Sequence, residues 1–420
     1  MNIYLLVVLS IIVVEYSISV VVDFLNIKAI KTTLPAEFSG IYNPKLYEIS
    51  QKYLKENTYF EIVKESIFFV FTIIFIIFGG FNLVDKFARS FGYNEIITGL
   101  IFFISLGIIA QVMVFPFEIY QTFIIEQKYG FNKTTFKIFI LDHIKIWILL
   151  ISIGSIILSI IIWFFINIKS AWLYCLIVVT IFELFLLFIA PVVFLPLFNK
   201  FIPIEDGPLK NEIENFLNAQ NFSIKGIFKI DASRRSTKTN AFFVGFGRFK
   251  KIALYDTLIK KHTIEELVSI LAHEIGHYKK KHFLNGIIIS ILTNGFMFFL
   301  LSFVINNKKL FRAFGMQNIS VYASLVFFAF LYRPINFFIS IVCNFISRRN
   351  EYEADKFAVK EYKKPAAFVA ALKKLAMDNF SNLTPHPLKV FFDYTHPPIL
   401  KRIKHIQDYS KKFFVAENIV

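Results

Sequence analysis

The sequence predicts a mainly α-helical membrane protein, and three observations carry that prediction. Of 420 residues, 56% are hydrophobic, Phe alone fills 54 positions, and mean hydropathy is +0.59. A soluble domain is less apolar and keeps its apolar runs shorter. Apolar runs at 3–25, 63–84, 95–117, 147–167, 171–198, 283–305 and 319–345 each reach the roughly 20 residues that a bilayer requires. The positive charge is also one-sided. The connections 26–62, 118–146 and 199–282 and the tail 346–420 hold 38 of the 46 Lys and Arg, against 6 in the opposite loops. By the positive-inside rule the N-terminus is outside, and the insertion and tail face the cytoplasm. The same bias accounts for the net charge of +16 without nucleic acid, and no nucleic-acid motif is present.

Taken in order, residues 1–198 are expected to form a membrane region of five spans. The run 3–25 reads as a retained span rather than a cleaved leader. Its start lacks positive charge, Glu15 interrupts it, and no small-residue cleavage site follows. Residues 26–62 read as a polar connection. The fourth and fifth spans are joined only by Asn167 to Ser170, so they should be antiparallel neighbours. Glu15, Glu183, Asn294 and Arg333 lie in or near apolar runs. Such groups pair locally, snorkel, or face a water-filled interior. Cys175 and Cys343, far apart in apolar runs, read as free buried thiols.

Residues 199–282 form a polar insertion of α+β character. Gly207-Pro208 opens a helix with Leu209, Ile213 and Leu217 along one face. Strands are expected over Ser223–Ile230, Asn240–Gly245 and Lys251–Tyr255. Thr263 and Glu266 have capping-box spacing at the head of another helix. That helix carries His273-Glu274-Ile275-Gly276-His277. Histidines four apart share one helix face, so both imidazoles can reach one metal ion, with Glu274 beside them to accept a proton from water. His262 and His282, at the helix ends, read as surface or interfacial residues. Two further spans occupy 283–345, and a helical region, 346–420, closes the chain.

A third ligand should be an acid or a histidine on a facing helix. Glu351 and Asp355 are four apart and share a face, whereas Glu353 points away. The economical assignment makes Glu351 a ligand and Asp355 the acceptor for the outer N–H of a ligand histidine. Spacing alone does not decide which acid binds metal, and an ordinary charged helix face has the same pattern.

With these residues in view, the sequence resembles the CAAX prenyl protease 1 family of integral-membrane zinc metalloproteases. The resemblance rests on the His273–His277 motif, Ser347-Arg348-Arg349-Asn350-Glu351-Tyr352-Glu353-Ala354-Asp355, Pro196-Leu197-Phe198-Asn199-Lys200-Phe201, Asn240-Ala241-Phe242 and His396-Pro397-Pro398. It implies one zinc ion held by His273, His277 and Glu351, with Asp355 behind the ligands. It implies that Asn240 and Ala241 lie on an edge strand that takes substrate as an added strand. His396 and Arg402 would assist substrate or transition-state binding. It also implies a barrel of seven helices around a water-filled chamber, with a zincin-like unit at its cytoplasmic end. Eukaryotic members act on prenylated proteins in the endoplasmic reticulum. Bacterial members would act in the inner membrane on other substrates, and the short outer loops here lean that way.

The reaction expected is zinc-dependent peptide hydrolysis near the bilayer. The substrate is a peptide or protein, lipidated or membrane-embedded in some cases. Glu274 serves as general base and then acid, and His396 or Arg402 stabilises the oxyanion. Two other readings fit parts of the sequence. One is a quality-control protease resembling HtpX, disfavoured by the long N-terminal membrane portion. The other is a channel or scaffold with structural zinc, which would normally fill all four positions with Cys or His.

Overall fold

The computed structural model describes residues 2–245 and 250–417. Helix α1 (Ile3–Ala29) is capped by the Asn2 side chain. Helix α2 (Pro44–Ile77) begins where Asn43 accepts from the amides of Lys45 and Leu46, with Pro44 in the first turn. The expected polar connection 26–62 is thus in large part helix, continuous with the apolar run behind it. The expected second span, 63–84, is not straight. It breaks at Phe78-Gly79, where Gly79 takes φ +69°, and α3 (Gly80–Arg89) leaves at 65° to α2. Gly80 packs so closely on the Phe75 ring that a Cβ there would lie 2.5 Å from it. Among the described residues, six helices are long and apolar enough to span a membrane, seven if this bent pair counts as one.

Helix α4 (Glu95–Tyr120) contains Pro116 and widens into a π turn over Gln121–Glu126. Helices α5 (Phe136–Asn167) and α6 (Ala171–Ile189) form the expected antiparallel pair. A second π turn, Ala190–Phe194, leads into the short α7 (Leu195–Phe198). The polar residues inside apolar runs find partners. Arg333 meets Glu15 at 3.1 Å, and Ser290 donates to Glu183 at 3.0 Å. Asn294 donates to Ser290 at 3.3 Å. A cavity of about 360 Å³ holds Glu15, Tyr16, Ser19, Glu65 and Arg333.

The insertion opens with β1 (Phe201–Pro203), too short to leave a periodic signal, and α8 (Pro208–Ala219). Strand β2 (Gly226–Ile230) starts three residues later than expected, because its parallel partner begins only at Lys251, opposite Gly226. Strands β3 (Ala241–Val244) and β4 (Lys251–Tyr255) complete a sheet of order β1-β2-β4-β3, which leaves β3 on an edge. Helix α9 (Asp256–Lys261) leads into α10 (Ile264–Lys279), and Leu267, Leu271 and Ile275 of α10 enter the main buried cluster of this region.

Helix α11 (His282–Val304) and the short α12 (Lys308–Ala313) precede α13 (Val321–Tyr362). The sequence divides α13 at 345, where hydropathy falls, yet the helix runs on unbroken for 42 residues. At 1.5 Å per residue it is about 63 Å long, roughly twice a bilayer core. Its far half therefore projects into the polar region carrying Glu351 and Asp355. Helices α14 (Pro365–Asp378), α15 (Pro387–Asp393) and α16 (Ile399–Glu417) wrap that projecting end.

Helices α10 and α13 meet at Gly276. A Cβ there would stand 3.1 Å from Ala354 Cα and 3.2 Å from its carbonyl oxygen, so only a glycine lets the two backbones approach this closely. Gly276→Ala gains about 1 kcal/mol of helix propensity and costs about 1–3 kcal/mol of overpacking against a backbone that cannot rotate away. The expected outcome is a lower unfolding temperature and weaker metal binding, measured by thermal unfolding and zinc titration in detergent.

Candidate metal centre

The site is built on α10. Thr263 Oγ1 accepts from the Glu266 amide at 3.3 Å, and the Glu266 carboxylate accepts from the Thr263 amide at 3.1 Å. Lys374 of α14 binds the same carboxylate at 2.8 Å. Three turns on, His273 and His277 face one another, Nε2 to Nε2, at 3.1 Å. Glu351, from α13, closes the triangle: Oε1 is 3.2 Å from His277 Nε2 and Oε2 is 3.4 Å from His273 Nε2. Donors about 2.0–2.1 Å from one tetrahedral zinc ion stand about 3.3–3.4 Å apart, so this donor set fits zinc. Glu351 Oε2 is buried and, beyond its ion-pair contacts with His273 and Arg402, takes part in no hydrogen bond among the described residues, which leaves it able to take a metal ion. No other cluster of His, Cys, Asp and Glu among the described residues meets the geometric requirement for holding a metal.

Behind the triangle lies a buried charge network. Asp355, wholly buried, is 2.9 Å from His273 Nδ1. It also receives Arg402 Nη2 at 2.6 Å and Nε at 3.0 Å. The Arg402 Nη1 atom lies 3.3 Å from Glu351 Oε2. Burial and Arg402 press His273 towards its neutral form, but Asp355 and Glu351 outweigh them and lift its pKa to about 9. Burial works against the Arg402 charge too, yet Asp355 holds its proton more tightly than usual. Arg402 therefore orders the acids behind the site as well as lining it.

Glu274 is half-buried and outside the triangle. It lines a cleft of about 330 Å³ with Asn240, Ala241, His396 and Arg402. His396 Nε2 is 3.3 Å from Glu351 Oε1, and its side chain remains 64% exposed. The segment leading to it, α15 and Tyr394, is pinned from α13: Arg348 donates to the Val390 and Tyr394 carbonyls at 3.0 and 2.6 Å, and Asn344 to the Phe392 carbonyl at 2.6 Å. Asn240, which leads into β3, follows Thr239, whose amide and carbonyl are both clamped by the Asn379 side chain. All nine residues singled out from the sequence thus come together in or directly behind one cleft.

His262 and His282 are not surface residues; each is 8% exposed. His262 tucks beside Glu266, 3.2 Å away, and burial lowers its pKa against the pull of that acid. His282 folds back beneath His277, because Lys281 takes φ +59° and turns the chain sharply after α10. Its Nδ1 lies 3.1 Å from His277 Nδ1. Five residues is not a helical face spacing, so no periodic signal pointed to it. Glu353 does point away from the triangle, as expected, and lands on His282.

Membrane-spanning helices that end in an H-E-x-x-H helix and a facing glutamate define an integral-membrane metalloendopeptidase. Comparison with known proteins agrees. Residues 23–200 match the family model described as CAAX prenyl protease N-terminal, five membrane helices, and residues 203–410 match peptidase family M48. A CAAX prenyl protease 1 homologue of Arabidopsis thaliana is 34% identical over 95% of this chain and 96% of its own length. One of Homo sapiens is 30% identical over 90% and 89%. The crystal structure of S. mikatae Ste24p superposes with a TM-score of 0.91 at 27% identity, covering 96% of this chain and 99% of that one. The chain belongs to the CAAX prenyl protease 1 family.

Proposed function

We propose that this protein is a zinc-dependent endopeptidase that cleaves polypeptides carrying an apolar group, at the cytoplasmic face of its membrane. The observation that carries the reading is the triangle of His273, His277 and Glu351 donor atoms, all within 4.8 Å of one another, at the floor of a cleft walled by an edge strand. His273, His277 and Glu351 would hold a zinc ion there, which would supply Lewis acidity for peptide hydrolysis near pH 7.

The chain's own residues do the rest. The edge strand β3 offers backbone groups to an extended peptide at Ala241, with Asn240 immediately before the strand. Glu274 takes the proton of the attacking water and returns it to the leaving amine nitrogen. His396 and Arg402, on the far side of the cleft, donate towards the oxygen on which negative charge builds. Asp355 accepts from His273 Nδ1 and so fixes that ring's tautomer and angle.

An apolar cavity of about 580 Å³ adjoins Glu274 and His277, walled by Leu186, Leu187, Leu195, Phe243 and Phe283. It suits a hydrophobic substituent close to the scissile bond, in keeping with the activity named for the relatives. The one-sided positive charge supports the cytoplasmic orientation. Short outer loops favour a bacterial inner membrane, and the endoplasmic reticulum is the corresponding membrane for a eukaryotic source.

The test uses purified protein in detergent and two peptides of one sequence, one farnesylated on a cysteine near its C-terminus and one unmodified, with products read by mass spectrometry. The lipidated peptide is expected to be cut faster. A chelator should abolish cutting, and added zinc should restore it. Equal rates for the two peptides would overturn the substrate class, and cutting that survives chelation would overturn the zinc reading.

A further inference from the structure

The two histidines of the triangle are not supported in the same way. His273 has a carboxylate directly behind it, Asp355. His277 has a second histidine there, His282, with Nδ1 to Nδ1 at 3.1 Å. Behind His282 stands Glu353, its Oε2 3.3 Å from His282 Nε2. Glu353 is itself tethered by Arg349 Nε at 3.3 Å. None of these three residues belongs to the ligand triangle.

We propose that His282 and Glu353 form a positioning relay that fixes the tautomer and ring angle of His277. The relay rests on the zinc-site reading above. Its direction follows from hydrogen-bond chemistry. If His277 gives Nε2 to the metal, its remaining proton is on Nδ1, and Nδ1–H must donate. His282 Nδ1 is then the acceptor, so the neutral His282 ring carries its proton on Nε2. That proton points at the Glu353 carboxylate, which can only accept when ionised. Each atom in the chain Glu353, His282, His277 has one role, and no group is left with two donors or two acceptors facing.

The surroundings explain why a relay is used in place of a direct carboxylate. His277 and His282 both line a cavity of about 770 Å³ that runs between α11 and α13 and also holds Asn294, Asn336, Ser340 and Asn350. Water there would compete for His277 Nδ1. A buried imidazole fills that position with a fixed acceptor, and the sharp turn at Lys281 delivers it from the chain segment immediately after α10. Glu353 faces His282 on the same turn of α13 that supplies Glu351 and Asp355, so one helix supports both ligand histidines.

The experiment measures zinc affinity of the full chain in detergent, by competition with a chromophoric chelator, and the visible spectrum of the cobalt-substituted protein. Neither readout involves a peptide, so failure of the substrate proposal leaves this test intact. His282→Phe is expected to weaken zinc binding about 10- to 100-fold, the usual effect of removing an outer partner, and to alter the cobalt bands. His282→Gln, whose carbonyl can accept from Nδ1–H, should recover most of that affinity. Glu353→Gln should weaken binding less, in the same direction. Unchanged affinity in His282→Phe, or equal losses in the Phe and Gln variants, would overturn the relay. If the Phe variant does not fold, judged by thermal unfolding without metal, Glu353→Gln decides, and wild-type affinity there overturns the relay. A wild-type chain that binds no zinc overturns the metal site and the relay together.

Discussion

Glu274→Gln is expected to lower kcat by about 10²–10⁴-fold, the range for removing a positioned general base, while zinc content and KM stay close to wild type. Glutamine matches the shape of glutamate but cannot accept a proton at neutral pH. Glu274 stands outside the donor triangle of His273, His277 and Glu351, so its loss should not release metal. It lines the cleft beside Asn240 and Ala241 without being part of β3, so peptide binding should also persist. The split between kcat, KM and metal content is the informative part. A variant that lost zinc would make Glu274 a ligand. One that kept its rate would remove it from proton transfer.

Asp355→Ala should have the largest effect on stability. Arg402 is 8% exposed, and its guanidinium is bonded to Asp355 through two nitrogens. Removing the acid takes the partner from two of the three guanidinium nitrogens and leaves only the contact of Nη1 with Glu351 at 3.3 Å to balance the buried charge, a break that costs about 3 kcal/mol. The same change removes the acceptor from His273 Nδ1, so zinc affinity should fall about 10- to 100-fold as well. The two losses can be separated. Pairing Asp355→Leu with Arg402→Met replaces both charges by apolar groups, which often restores stability, but it returns no partner to His273. The double variant is expected to unfold near the wild-type temperature and still bind zinc weakly. Thermal unfolding and zinc competition, run side by side, check both halves.

What the sequence revealed follows the range of each interaction. Apolar run lengths located the spans because burial in lipid is a local compositional demand. Thr263 with Glu266, and His273 with His277, were readable because three and four residues are helical neighbour spacings. Glu351 and Asp355 could be paired by the same rule, though choosing the ligand required the resemblance. The contacts of His282 were hidden, since they depend on a left-handed residue at Lys281 and on a helix more than 70 residues away. The Asn379 clamp on Thr239 and the hold of Arg348 on the segment leading to His396 bridge 140 and 46 residues, with no periodicity to announce them. The break at Gly79 was inside an apolar run, where hydropathy continues although the helix axis does not. The continuity of α13 shows the reverse: hydropathy changes at 345 because the surroundings change, while the helix persists.

An open, three-ligand zinc site has a definite signature in X-ray absorption at the zinc edge of the loaded protein. The expected spectrum shows two imidazoles, one carboxylate oxygen and one further light-atom scatterer, all at about 2.0–2.2 Å. A third imidazole, from His282 or His396, or a sulfur from Cys343, would contradict it, because a site closed by protein ligands has no position left for reaction.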